Sequence, residues 1–474
     1  MNFSMEQQSV LPTHVFKEYD IRGRAGEDLD ENFAYLLGLA FAEMVQQAGE
    51  QKVVVGHDNR ISSPTLHRAL IAGLSQASCR VIDIGQVTTP MFYYSLEHTN
   101  VPCGIVVTAS HNPGDENGFK IAMNKTTIYG ERIQELRRTM ERIRQTQGVN
   151  RSDSWKEEYV EALDIKPAYL KMLENKIKLG ARKLKVVVDC GNGTASIIAP
   201  KALEAWGCEV VPLYCESDPT FPNHHPDPVV PENLKDLIDT VRREKADIGL
   251  AFDGDGDRLG VVDEAGNIRW GDQLMILFWR EILRRYPGAE APVEVKCSQA
   301  LVEEIERLGG KPFFHRTGHS HIKATLRSRP EIPFAGEMSG HLFFNDEFYG
   351  YDDALYAAGR LLRILSNDDR KLSQLFADVP SYHATPETRV PCPEEKKAEA
   401  IAAVKRRFAN SHEVVDVDGA RIQFKDGWGL VRPSNTQPIL VLRAEAASPE
   451  ALADIKQQLA DVLSKPPLNL NITW

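Results

Sequence analysis

No run of 18 uncharged apolar residues occurs anywhere in the 474-residue chain, and Met1 to Pro12 shows no basic segment followed by an apolar core. Neither a membrane span nor a signal peptide is therefore expected. Cysteine is sparse: Cys79, Cys103, Cys190, Cys208, Cys215, Cys297 and Cys392 include no Cys-x-x-Cys pair. The odd count does not suit a disulfide framework and the spacing does not suit zinc, so reduced thiols and a cytoplasmic setting are expected. Basic residues are in deficit, 56 against 67 acidic, for a net charge of −11. That balance argues against nucleic acid or an anionic membrane as the main partner, and an anionic ligand then needs a local basic pocket. A full dinucleotide fingerprint is missing too. Gly191-Asn192-Gly193-Thr194-Ala195-Ser196 follows a strand-like run but has Ser196 where the third glycine or alanine belongs, so a tight strand-to-helix turn accounts for it better than cofactor binding.

What is present is length and an ordinary globular composition, 42% hydrophobic and 26% charged. Such a chain exceeds one core and implies roughly three or four domains of about 100 to 150 residues. A helix from about Asp30 puts Phe33, Leu36, Leu37, Ala40 and Phe41 on one face. Val53-Val54-Val55, a helix-like Pro64 to Ser75 and Val81 to Ile84 then read as strand, crossover helix, strand. The pattern recurs at Val186 to Val188, Ala195 to Trp206 and Glu209 to Leu213, and again at Val293 to Lys296, Leu301 to Leu308 and Phe313 to His315. Beyond Ala377, strands at Ala420 to Phe424, Trp428 to Arg432 and Ile439 to Arg443 precede a closing helix opened by Ser448-Pro449. The pattern predicts three tandem α/β domains of similar topology, with mixed sheets between helices, followed by an α+β domain. The expected boundaries are 1–163, 164–266, 267–378 and 379–474, with linkers near Ala162 to Pro167, Asp263 to Gly266 and Asp378 to Arg389.

Four loops carry chemistry. Gly104 to Val107 is a β-like run that stops at Thr108-Ala109-Ser110-His111-Asn112-Pro113, which would present the Ser110 hydroxyl at a sheet's carboxyl edge. Asp253-Gly254-Asp255-Gly256-Asp257-Arg258 sets three carboxylates at alternate positions, and oxygen-only ligation favours Mg²⁺ or Ca²⁺ over zinc. An EF-hand fails, because its sixth position needs glycine where Arg258 stands and the flanks read as strands. Gly336-Glu337-Met338-Ser339-Gly340-His341 pairs a carboxylate and a hydroxyl, suited to a sugar's vicinal diol, with an imidazole able to move protons. Arg432-Pro433-Ser434-Asn435-Thr436 offers a guanidinium, hydroxyls and an amide in one loop, as a phosphate dianion requires.

Together, in order and at domain spacing over nearly the full chain, these loops resemble the α-D-phosphohexomutase family. Lys17-Glu18-Tyr19-Asp20-Ile21-Arg22-Gly23, Gly336 to His341 and Gly427 to Thr436 look most like its bacterial phosphomannomutase/phosphoglucomutase group. The resemblance implies four domains around a central cleft. It implies that Ser110 is carried as phosphoserine and that Asp253, Asp255 and Asp257 hold Mg²⁺ together with a phosphate oxygen of that residue. By motif position, Lys120 and His341 become acid/base candidates, with Arg22 and Arg258 near the phosphoryl group. Tyr19, Lys296, Gly318 and His319 would line the cleft. Glu337 and Ser339 would read the sugar hydroxyls, and Arg432, Ser434, Asn435 and Thr436 would grip the non-reacting phosphate. The implied activity interconverts hexose 1- and 6-phosphates, with glucose or mannose 1,6-bisphosphate as intermediate and activator, in a monomer. Two departures from the family pattern are Ala109, where many relatives have glycine, and Pro433, which stiffens the phosphate loop. A phosphoglucosamine mutase, a sugar-phosphate phosphatase and a non-catalytic binding relative are the alternatives.

Overall fold

The computed structural model describes residues 11–148, 151, 155–434 and 437–474. Its first sheet has seven strands. Ile21–Arg24, Glu116–Met123, Gly104–Val107, Lys52–His57, Arg80–Gln86 and Val160–Ala162 lie side by side, and Thr126–Thr127 pairs with Glu116–Met123. Lys52–His57 runs parallel to both of its neighbours, whereas Glu116–Met123 is antiparallel to Gly104–Val107. Both faces of this sheet are covered, which is why its strands read as continuous apolar runs. Val53, Val55, Val81, Ile105 and Val107 pack in the N-terminal core, while the alternate residues Val54, Ile82 and Val106 belong to a second core that continues through the next two sheets. Helix Glu31–Gln47 starts at Asp30, whose carboxylate accepts from the Phe33 amide at 2.7 Å. The expected apolar stripe, Phe33 to Phe41, is buried.

The second sheet orders Ile268–Arg269, Leu259–Asp263, Ile248–Phe252, Lys185–Asp189 and Glu209–Leu213. The single helix expected over Ala195 to Trp206 is instead a 3₁₀ turn, Thr194–Ile197, followed by helix Ala199–Ala205. Pro200 is the reason: it lacks an amide donor and is tolerated only in a first helical turn, so the regular helix restarts there. Asp263 to Gly266, the stretch placed between the second and third units, is a hairpin turn. The Asp263 carboxylate accepts from the Ala265 and Asn267 amides, and the chain leaves the sheet only after Ile268–Arg269.

In the third unit, Glu290–Glu294 pairs in parallel with Lys311–His315, and Phe334–Gly336 pairs antiparallel with Leu342–Phe344. The strand expected to reach Lys296 ends at Glu294, which leaves Lys296 just past its carboxyl end. The fourth unit is a six-stranded sheet with helices Glu394–Phe408 and Pro449–Leu463 packed in one core. Trp428 and Leu430 from this sheet pack with Val295 and Phe314 of the third unit. Arg421 cements that contact, donating to the Val295 and Cys297 carbonyls at 2.7 and 2.9 Å with its guanidinium 3.8 Å above the Trp428 ring. Among the described residues no helix is long and apolar enough to cross a membrane.

Candidate active site

Strand Gly104–Val107 ends at the sheet edge, and Ser110 follows in a left-handed conformation, φ 52°. A non-glycine residue holds that region only when its surroundings over-determine it. Buried Arg60 does so, donating to the carbonyls of Ser110, Asn112, Pro113 and Glu116 at 2.6 to 2.9 Å. Arg22 adds bonds to the Ala109 carbonyl and the Asn112 side chain. From the second unit, the turn between Ile248–Phe252 and Leu259–Asp263 presses in so closely that a Cβ on Gly254 would lie 2.4 Å from the Ser110 carbonyl oxygen. Only glycine permits this approach. It brings the Ser110 hydroxyl within 2.9 Å of Asp253 Oδ2, to which it donates.

Asp253, Asp255 and Asp257 are fully buried, with one ligand oxygen from each lying within 4.8 Å of the others. Asp253 Oδ1 accepts from the Asp257 and Arg258 amides and so shapes its own turn. Lys120 Nζ donates to Asp255 at 2.7 Å and to Asp257 at 2.5 Å, and the Thr89 hydroxyl donates to Asp255 at 2.6 Å. Burial pushes the Asp253 carboxyl well above the ordinary range, and the charges of Asp257 and Asp255 add to that. For Asp255, burial is outweighed by the Lys120 ammonium and the Thr89 bond, which hold it well below that range. Burial opposes the charge on Lys120, but Asp255 and Asp257 raise it well above its usual value. Asp255 Oδ1 and Asp257 Oδ1 are buried without a hydrogen-bond partner. Three buried carboxylates gathered this closely, with two of their oxygens left without a partner, are what a hard divalent cation satisfies, so the donor set fits Mg²⁺.

His341 closes the cluster. Its Nε2 accepts from Arg258 Nε at 3.0 Å, which leaves Nδ1 to carry the proton of the neutral ring, and Nδ1 lies 3.0 Å from Asp352 Oδ2. Asp352 is held in turn by Lys323 Nζ at 2.9 Å. The ring of His319 stacks on His341 with centroids 5.4 Å apart.

A second locus adjoins the first through His319. The sequence Gly336 to His341 is the turn between Phe334–Gly336 and Leu342–Phe344, stitched by a bond from the Glu337 amide to the His341 carbonyl. Glu337 Oε1 accepts from the Gly318 amide at 2.5 Å, while Ser339 is half-buried on the same turn. The hydroxyl of Tyr19 donates to the Thr317 carbonyl at 3.2 Å, and a Cβ on Gly318 would collide with its ring. Lys296 Nζ lies 3.2 Å from Glu387 and 3.7 Å from Glu294. Arg432 donates to Asp418 at 2.9 Å, and Asp418 also accepts from the Thr317 amide at 3.1 Å, which ties the fourth unit to the third. Ser434 starts the phosphate-type loop, with its carbonyl held by Lys397 at 2.8 Å. Asn435 and Thr436 lie outside the described residues.

Comparison with known proteins follows the same order along the chain. The phosphoglucomutase/phosphomannomutase α/β/α domains I, II and III match residues 13–147, 167–266 and 270–382, and that family's C-terminal domain matches 387–462. The chain belongs to the phosphoglucomutase/phosphomannomutase family. It is 45% identical to a phosphomannomutase/phosphoglucomutase of Pseudomonas aeruginosa, covering 96% of each chain. It is 40% identical to a phosphoglucomutase of Neisseria meningitidis, covering 97% of this chain and 98% of that one. A phosphoglucomutase/phosphomannomutase family protein of known crystal structure, from Burkholderia thailandensis, superposes with a TM-score of 0.89 at 41% identity over 98% of this chain and 100% of that one.

Within this family's architecture, sequence reasoning missed several residues that shape the site. Arg60 sits in a stretch read only as a strand and its exit, and its clamp on the Ser110 loop spans 50 residues of sequence. Asp352 and Lys323 carry no local signal at all. Thr89, Glu294 and Asp418 resemble ordinary capping or surface residues until the fold brings them against Asp255, Lys296 and Arg432.

Proposed function

We propose that this protein interconverts hexose 1-phosphates and hexose 6-phosphates, of mannose and glucose, by phosphoryl transfer from a phosphorylated Ser110 through a hexose 1,6-bisphosphate. The observation that carries this reading is the Ser110 hydroxyl, 2.9 Å from Asp253 in a buried carboxylate trio, with Lys120, Arg22, Arg258 and His341 gathered around it. Phosphoryl transfer depends on positioning and charge neutralisation more than on covalent chemistry. Asp253, Asp255 and Asp257, with an oxygen of the Ser110 phosphate, would hold Mg²⁺, which neutralises phosphoryl charge when bound. Arg22 and Arg258 offer donors to the same group.

In the forward step the Ser110 Oγ–P bond breaks as a bond forms from phosphorus to the free sugar hydroxyl. His341 is one acid/base candidate, with Asp352 at its Nδ1. Lys120, whose ammonium bridges Asp255 and Asp257, is the other acid/base candidate. The bisphosphate then turns end for end and returns its other phosphate to Ser110. Arg432, Ser434, Asn435 and Thr436 grip whichever phosphate is not reacting, Lys296, Tyr19, Gly318 and His319 line the cleft, and Glu337 and Ser339 hold the 3- and 4-hydroxyls. Those hydroxyls are common to glucose and mannose, so the two should differ by only about tenfold in kcat/KM.

The test is turnover of glucose 1-phosphate, mannose 1-phosphate and glucosamine 1-phosphate with a trace of glucose 1,6-bisphosphate, with inorganic phosphate followed in parallel. Conversion of the first two to 6-phosphates without phosphate release is expected. Stoichiometric phosphate release would mark a phosphatase, and preference for the amino sugar would mark a glucosamine phosphate mutase.

A further inference from the structure

Cys190 and Cys215 stand one and two residues beyond the carboxyl ends of the adjacent parallel strands Lys185–Asp189 and Glu209–Leu213. Their sulfur atoms are 3.3 Å apart. Cys190 is buried and Cys215 is partly exposed, so one thiol of the pair can meet a reagent from solvent while the other waits behind it. Nothing in the proposed mutase chemistry uses either.

The chain that leaves Cys190 runs directly onto the reaction centre. The Gly193 amide donates back to the Cys190 carbonyl at 2.7 Å, and the Thr194 amide donates at 2.9 Å to the carbonyl of Gly254, between Asp253 and Asp255. A Cβ on Gly193 would lie 3.2 Å from Gly254 Cα, so the two loops are in contact along their backbones. The Asn192 carbonyl and the Thr194 hydroxyl accept from Asn59, the neighbour of the Arg60 that clamps the Ser110 loop. One short loop thus supports both the carboxylate trio and the serine.

We propose that Cys190 and Cys215 form a reversible oxidative modification site that a hydroperoxide converts to a disulfide, shifting the Cys190–Thr194 loop and lowering turnover. The Cys215 sulfur attacks one peroxide oxygen. The O–O bond breaks, and the other oxygen takes a proton and leaves as water or an alcohol. Cys190 then attacks the sulfur of the resulting sulfenic acid, the S–S bond forms, and the hydroxyl leaves as water with the remaining thiol proton. Two thiols lose two electrons and two protons, and the peroxide gains them. Cys215 is the thiol of the pair that solvent reaches, and its sulfur contacts that of Cys190, which favours Cys215 as the attacking sulfur. Closing 3.3 Å to the S–S length of about 2.05 Å moves the start of the loop by on the order of 1 Å. A misplacement of about 1 Å in a reacting constellation can cost on the order of 100-fold in rate.

The experiment treats the reduced full-length enzyme with hydrogen peroxide, maps the peptides by mass without reduction, and measures mutase activity before and after a dithiol reductant. The expected result is a peptide pair joined through Cys190 and Cys215, two fewer titratable thiols, an activity loss of about tenfold or more, and recovery on reduction. Cys215→Ser should match the untreated wild type and keep its activity through the same treatment. Absence of the linked peptide overturns the site, as does a linked peptide with unchanged activity or an equal loss in Cys215→Ser. The peptide map does not depend on which sugar phosphate is turned over, so failure of this site and failure of the mutase reading are distinguishable.

Discussion

The Nδ1 atom of His341 lies 3.0 Å from the carboxylate of Asp352, and both groups are buried. Asp352 is fixed from behind by the Lys323 ammonium. Burial opposes its charge, yet Lys323 and His341 outweigh that and hold the carboxyl well below the ordinary range. Standing this close to the imidazole, it is placed to act on His341 as a positioning residue.

Asp352→Asn is therefore expected to lower kcat by about 10- to 100-fold while moving KM by no more than about threefold. In a His341→Ala background the same change should cost little more, because the two act as one unit. Steady-state kinetics of the two single variants and the double variant decide it. An undiminished Asp352→Asn effect without the imidazole would remove the positioning role.

Ser110→Ala should reduce turnover by roughly 10³-fold or more with unchanged circular dichroism, since it deletes the phosphoryl carrier while the Arg60 clamp grips only main-chain oxygens. Intact mass should show a phosphorylated species in the wild type that the variant lacks. A variant with near wild-type activity would end the phosphoserine assignment.

Chelation with EDTA should abolish activity and added Mg²⁺ should restore it, because three buried carboxylates and a phosphoserine repel one another until a divalent cation neutralises them. Full turnover after exhaustive chelation is the result that would refute this.

Asp353 yields a stability prediction with a definite sign. It caps helix Ala354–Ser366, accepting from the Tyr356 amide and the Tyr169 hydroxyl, and burial pushes its carboxyl up to about 7 from an ordinary 3.8. The cost of ionising it in the folded chain is absent below pH 3.8, grows as pH rises, and is complete above about 7. Asp353→Asn keeps the cap without the charge. Its stability relative to wild type should therefore rise by on the order of 2 kcal/mol between pH 5 and pH 8. Urea unfolding at the two pH values measures this, and a pH-independent difference would contradict it.

Local pattern determined much of this protein. Alternating and continuous apolar runs specified the repeated strand–helix–strand units, because buried parallel strands and amphipathic helices each leave a short-range signature. The loops holding Ser110, Asp253 to Asp257 and Gly336 to His341 were legible because their side chains are close in sequence. Where one residue acts against its neighbours, as Pro200 does in restarting a helix, propensity alone misplaced the element. Only the tertiary structure decided what faces these loops. Arg60 reaches Ser110, Lys120 reaches Asp255 and Asp257, Asp352 reaches His341, and Cys215 meets Cys190 across separations that no local pattern encodes. Such contacts depend on which strand ends the sheets bring together. Burial then gives the meetings their chemistry, since charges and thiols removed from water respond to a single neighbour far more strongly than they would in solvent.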